Sequence, residues 1–180
     1  GDYPPITFKV YPQRNVRIEY KQNPHFISLG GYIMAMPGFQ IVRYVKDIIS
    51  KNQLQPAGVD LTVSKVFELK SRGYLGVDHR EISDVQEVPK RNGKWYLGKG
   101  VYKVLINEII HVPENAVGIC FPRSSLLRMG VDVRCALWDP GYYGRSEILL
   151  VVHNEHGVVI EENARIAQIV FIRLTEKPHK

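Results

Sequence analysis

The sequence predicts a mainly β domain, a sandwich or a barrel, and three observations predict it. Past Leu54 the chain is a succession of short alternating apolar segments cut by glycine, proline and asparagine. Only one stretch carries helical periodicity. The 180 residues are 44% apolar and 23% charged, enough for one hydrophobic core and too apolar for a disordered chain. A chain of this size buries roughly 70% of the surface it exposes when unfolded, so the core needs no staple.

Residues 1–38 read as an N-terminal extension, and residues 39–180 as the folded domain. Within the extension, Thr7 to Tyr11 and Val16 to Tyr20 alternate and are expected as short strands between prolines. Met36 before Pro37 is compatible with an internal start behind an added segment. Ile41 to Ser50 (IVRYVKDIIS) is expected as the one amphipathic helix. Its Ile41, Val42, Val45, Ile48 and Ile49 fall on one face and its Arg43, Lys46 and Asp47 off it.

The strands follow. VDLTVSKVFEL alternates through Val59, Leu61 and Val63, then slips before Val66. KSRGYLGVDHREISD reads as a loop. Residues 90–121 hold three strands, with turn signals at Asn92-Gly93, Gly98 and Pro113. Residues 131–174 hold several more, with turns at Pro140-Gly141, Asn154-Glu155 and Glu162-Asn163.

Charge and cysteine narrow the function. Lys and Arg total 24 against 18 acids, a net +6, but the basic residues are scattered with no long run. That balance admits nucleic acid only weakly, and fits a small polyanionic ligand such as a nucleotide and no ligand at all equally well. The 2 cysteines, Cys120 and Cys135, have no CxxC spacing and are expected as buried free thiols in a reducing compartment. No stretch has the ~18 apolar residues of a membrane span, and the first residues lack the pattern of a signal peptide. The expectation is a cytoplasmic protein with neither membrane nor nucleic acid as partner.

Four segments carry chemistry that plain strand logic does not require. In QPAGVDL, Gly58 permits close backbone approach and Asp60 is an acid inside a strand; a solvated turn residue is the plainer alternative. In FPRSSLLRMG, Ser124 or Ser125 could cap a short helix stopped by Gly130. Equally, Arg123 with the two hydroxyls and free amides could hold an anion. In WDPGYYG, Asp139 is either a turn former or an acid placed to orient and deprotonate a water beside an aromatic platform. In ENARIAQIVF, Arg165 and Gln168 are polar residues entering an apolar strand, as the solvated face of an edge strand would also show.

Taken in order, QPAGVDLTV, FPRSSLLRMG, ALWDPGYYGRSEILLVVHN and ENARIAQIVFIRL resemble the trimeric dUTPase and dCTP deaminase superfamily, most nearly its archaeal-type dUTPases. They span residues 54–174, about two thirds of the chain. The resemblance implies a distorted, jelly-roll-like β-barrel (a β-clip) with one or two short helices. It also implies a homotrimer whose sites lie between subunits, with dUTP as substrate. Arg123, Ser124 and Ser125 match the triphosphate motif, and Gln168 a phosphate-contacting glutamine. Asp139 matches the water-activating acid, and Tyr142 the aromatic residue that packs on deoxyribose. Asp60 matches an acid near the metal-bound waters, with Arg165 as a further site residue. Ala136 and Leu137 lie in the Arg134-to-Leu137 segment that would read the uracil edge. Mg2+ would arrive with the triphosphate, with no direct protein ligand.

The deaminase branch carries a proton-relaying glutamate ten residues after the motif-three acid, a position held here by Leu149. Arg128 does match an arginine of the deaminases. Glu147, on the same strand face as Leu149, is the one carboxylate that could substitute. Family members commonly continue into a glycine-rich or aromatic tail, whereas the sequence after Leu174 reads TEKPHK. The expected activity is hydrolysis of dUTP to dUMP and pyrophosphate. The alternatives are a nucleotide-binding regulatory homologue with little turnover and a bifunctional deaminase–pyrophosphatase.

Overall fold

A computed structural model describes residues 7–10, 16–19 and 35–178. Two strands of the extension are present: β1 (Thr7–Val10) and β2 (Val16–Glu19) pair antiparallel, Thr7 opposite Glu19. The expected strand ends Tyr11 and Tyr20 lie outside the described residues, as do His179 and Lys180 of the tail. The barrel begins at Ala35, which bridges Ile172, and at Met36, whose N–H donates to the Phe171 carbonyl at 2.9 Å.

The expected helix over Ile41–Ser50 is not there. The chain makes one turn, α1 (Gly38–Ile41), then a 3-10 turn over Val42–Tyr44 and a short strand, β3 (Val45–Lys46). Val45 pairs with Ile110, and Asp47 leaves the ladder at φ 58. The inward set survives, because Ile41, Val42, Val45 and Ile48 are all buried. All are β-branched and fit a pleated surface better than a helix, so strand pairing decides the conformation.

A hairpin across Pro56-Ala57 joins β4 (Leu54–Gln55) to β5 (Gly58–Leu69). The segment expected as a loop contains a two-residue ladder, β6 (Tyr74–Leu75) with β7 (Arg80–Glu81), before β8 (Val85–Glu87) returns to β5. Asn92 and Gly93 both take positive φ, 52 and 73, as a tight hairpin turn requires. They lead into β9 (Lys94–Leu97), β10 (Gly100–His111) and β11 (Ala116–Pro122). Then come α2 (Ser124–Arg128), β12 (Val131–Arg134), β13 (Tyr143–Val152), β14 (Val158–Glu161) and β15 (Arg165–Arg173).

The main sheet runs β11-β15-β5-β10-β13-β12, every neighbour antiparallel. Its two edges meet. Gly118 of β11 and Trp138, just past β12, exchange both backbone hydrogen bonds at 2.9 and 3.0 Å. A disulfide joins Cys120 to Cys135, with Cα atoms 6.1 Å apart. The cysteines are therefore not free thiols, because closing the barrel brings together two strands that are remote from each other in the sheet order. The slip read at Val66 is a bulge: Lys65 faces Leu105 and Val63 faces Ile106, so Ser64 is skipped. The inward rows of β5, β10, β13 and β15 supply the core, among them Leu61, Ile106, Leu150 and Phe171. Among the described residues no helix is long and apolar enough to cross a membrane.

Candidate active site

The first cluster is built on Asp60. Strand β5 carries it on the face opposite Val59, Leu61 and Val63, where it is nonetheless only 1% exposed. Three donors converge on its Oδ2. Arg165 Nη1 lies at 3.1 Å, Gln55 Nε2 at 3.1 Å and Arg123 Nε at 3.3 Å. Burial pushes the Asp60 carboxyl above its ordinary value, and the Arg123 and Arg165 guanidiniums pull it back. Two cations on one carboxylate leave a surplus positive charge at a partly exposed spot, both arginine side chains being about a third exposed (31% and 30%). Arg123 engages Asp60 through Nε, so its outer nitrogens take no partner among the described residues.

Ladder register adds the next members. Gln168 of β15 stands opposite Asp60 on one side and Phe121 of β11 on the other. Gly58 makes room for it: a Cβ there would stand 2.7 Å from Gln168 Nε2 and 2.5 Å from the Ile169 carbonyl oxygen. Arg123 is tied to β15 by its N–H, which donates to the Ile166 carbonyl at 3.1 Å. The serine cap is not formed. Arg123 is the N-cap residue of α2, with no side-chain cap bond. The Ser124 and Ser125 hydroxyls take no partner among the described residues, and the first amides of such a turn have none within it. Gly130, at φ 73, ends the turn as read. Arg128 is exposed in the last turn of α2.

The second cluster is built on the turn after β12. Asp139 is exposed, and its carboxylate has no partner among the described residues. Its carbonyl accepts from Tyr142 N–H at 3.1 Å. Val112 clamps the turn, accepting from Gly141 N–H at 3.1 Å and donating to the Tyr142 carbonyl at 2.9 Å. Buried Trp138 donates through Nε1 to Ser146 Oγ at 2.7 Å, and the Tyr142 hydroxyl lies 2.9 Å from the same oxygen. Ala136 and Leu137 are exposed between the disulfide and Trp138.

Asp60, Arg123, Arg165 and Gln168 are thus brought together, and so are Asp139 and Tyr142. Among the described residues no hydrogen bond or ion pair joins the two clusters.

A third group went unread in the sequence. Glu108 is wholly buried. Its Oε1 accepts from Thr62 Oγ1 and Gln53 Nε2, each at 2.6 Å, and its Oε2 accepts from Thr62 N–H at 3.0 Å. Gln53 also donates to the Asp60 carbonyl at 2.9 Å, so this network braces the strand that bears Asp60. Burial raises the Glu108 carboxyl, and the bonds from Thr62 and Gln53 oppose it. The signal was strand period: Glu108 falls in the inward row of Tyr102, Val104, Ile106 and Ile110. Among the described residues no three His, Cys, Asp or Glu side chains converge into a metal cage.

Residues 36–174 match the family model described as dCTP deaminase-like. The chain is 43% identical over 125 residues to an Aeropyrum pernix protein named probable deoxyuridine 5'-triphosphate nucleotidohydrolase, the match covering 69% of this chain and 79% of that one. It is 39% identical over 130 residues to the deoxyuridine 5'-triphosphate nucleotidohydrolase of Methanocaldococcus jannaschii, covering 70% of this chain and 82% of that one. Among solved structures, the 2'-deoxycytidine 5'-triphosphate deaminase of Agrobacterium tumefaciens matches 79% of this chain with a TM-score of 0.62 at 17% identity, a likeness of fold. This chain spans 49% of that deaminase's length.

Proposed function

The chain belongs to the dCTP deaminase-like family, and within it we propose that this protein is a dUTP pyrophosphatase that hydrolyses dUTP to dUMP and pyrophosphate. The observation that carries the reading is the Asp60 cluster: one buried carboxylate holds two guanidiniums at the surface, next to Ser124 and Ser125, whose hydroxyls take no partner among the described residues. That is a polyanion cradle. The relatives named as dUTP nucleotidohydrolases support the choice of substrate.

In this reading Arg123, Ser124, Ser125 and Gln168 bind the triphosphate, and Asp60 fixes both Arg123 and Arg165. The Asp139 carboxylate takes a proton from the water that attacks the α-phosphorus, while the bond to the bridging oxygen breaks and pyrophosphate leaves. Tyr142 walls the deoxyribose, and Ala136 and Leu137 face the base. The cluster fits a cation that arrives already bound to phosphate oxygens, because arginines occupy the Asp60 carboxylate. Mg2+ held by the triphosphate would neutralise its charge when bound.

The two clusters belong on different subunits of a homotrimer, each site taking Arg123 from one copy and Asp139 from another. The exposed apolar side chains of Phe121, Leu127, Met129 and Leu137 flank both clusters and suit a subunit interface.

Deamination is disfavoured. Leu149 has no proton to relay, and Glu147 is paired with Lys103 at 2.8 Å. Ion chromatography of dUTP and dCTP incubated with protein and Mg2+ tests the whole reading. The expected products are dUMP and pyrophosphate from dUTP, with dCTP left unchanged. Release of ammonia from dCTP would overturn the exclusion, and intact dUTP would overturn the activity.

A further inference from the structure

Ser146 lies on β13 in an inward row that otherwise holds Ile148, Leu150 and Val152, and it is 6% exposed. A hydroxyl in that row needs a reason. Its Oγ accepts from Trp138 Nε1, a group that can only donate, at 2.7 Å. It also shares a hydrogen with the Tyr142 hydroxyl at 2.9 Å.

These two partners flank Asp139 in sequence. Trp138, its immediate neighbour, is 5% exposed and is locked by backbone bonds in both directions to Gly118. Tyr142 closes the turn that Asp139 opens. A tyrosine ring has two soft torsions, and a bond at the far end of the phenol fixes both. Gly144 leaves the space for this: a Cβ there would stand 3.2 Å from the Tyr142 hydroxyl. The Ser146 Oγ thus ties the aromatic ring to the rigid side of the turn.

We propose that Ser146 is a positioning residue that sets sugar selectivity, holding the Tyr142 ring at the depth that admits deoxyribose and excludes a 2′-hydroxyl. The proposal rests on the reading that Tyr142 faces the sugar of a bound nucleoside triphosphate. A close wall rejects an added hydroxyl only while it cannot yield. Without the Ser146 oxygen the phenol is free to turn outward, and the Trp138 N–H is left buried and unpaired.

The test measures kcat and KM for dUTP and UTP, with Mg2+, in wild type, Ser146→Ala, Tyr142→Phe and the double variant, each checked for folding by its thermal unfolding transition. Both single changes delete the same hydrogen bond. Each is expected to lower the preference for dUTP over UTP by ~10-fold, chiefly through KM, and the double variant is expected to lose no more than either. A merely structural defect would depress both substrates alike and leave the ratio unchanged. If wild type hydrolyses dUTP and folded Tyr142→Phe keeps the wild-type ratio, the proposal is wrong while the activity stands. If the two effects multiply in the double variant, the shared bond is not the device. If wild type leaves dUTP intact, the reading of the activity has failed and the sugar role falls with it.

Discussion

Gln53 Nε2 reaches Glu108 Oε1 at 2.6 Å in the buried interior, and the same amide nitrogen holds the Asp60 carbonyl at 2.9 Å. One buried side chain therefore links β10 to β5, the strand that carries the arginine-binding acid. Glu108→Ala would strand three donors without water. At about 1–3 kcal/mol for each unsatisfied group, the loss should reach at least about 3 kcal/mol, read from the midpoint of a denaturant titration.

The same carboxyl has a sign in pH. Its folded value is raised by burial, so its contribution is full below the unfolded value of about 4.3 and is lost as pH rises through the folded one. Asp60 is shifted in the same direction. The wild-type denaturation midpoint should therefore fall more steeply than that of Glu108→Gln as pH rises above the ordinary carboxylate range. Parallel curves would mean that Glu108 titrates as an ordinary carboxyl.

The disulfide gives a separate prediction. It closes a loop with a sequence separation of 15 that contains all of α2 and β12. Cross-linking a loop of that length is worth about 3 kcal/mol. Excess dithiothreitol should lower the thermal midpoint of wild type and leave the Cys120→Ser, Cys135→Ser double variant unmoved. Two titratable thiols in the unfolded, unreduced protein would show that the bond is absent.

These examples show what the sequence could and could not reveal. The long strands were legible because their inward rows, such as Ile148, Leu150 and Val152, alternate cleanly. So was the bulge before Val66. The segment Ile41–Ser50 misled because helical spacing and irregular burial satisfy the same five β-branched residues, and only the partner at Ile109–Ile110 decides between them. Cys120 and Cys135 were misread because their closeness exists only after the barrel closes. Asp60, Arg123, Arg165 and Gln168 were legible as motif members, but the meeting of Arg123 and Arg165 on one Asp60 oxygen, with Gln168 opposite Asp60 in the ladder, depends on the β5–β15 register, which no local pattern encodes. Glu108 and Ser146 stood in apolar rows and could have been found there by asking why a polar group faces inward.

Asp139 is expected to matter for turnover rather than binding. It is exposed, unpartnered among the described residues, and held on a turn clamped by Val112. General-base assistance is worth ~10²–10⁴ in rate. Asp139→Asn should bind dUTP nearly as wild type does, by calorimetry, yet turn over at least about a hundredfold more slowly. Wild-type turnover in the variant would reduce Asp139 to a turn residue.

The separation of the two clusters makes the assembly testable by complementation. If each site takes Arg123 from one subunit and Asp139 from another, Arg123→Ala and Asp139→Asn proteins are each inactive, because every site lacks one group. Unfolded together in equal amounts and refolded, they form mixed trimers. A site is then intact when its Asp139 donor is the arginine variant and its Arg123 donor is the aspartate variant. Random mixing gives that combination at about one site in four, so about a quarter of wild-type activity should return. Sites built within one subunit can never recover both groups, and the mixture would stay inactive. Sedimentation equilibrium on the wild type supplies the companion measurement: a mass of three chains is expected, and a monomer at micromolar concentration would remove the shared site altogether.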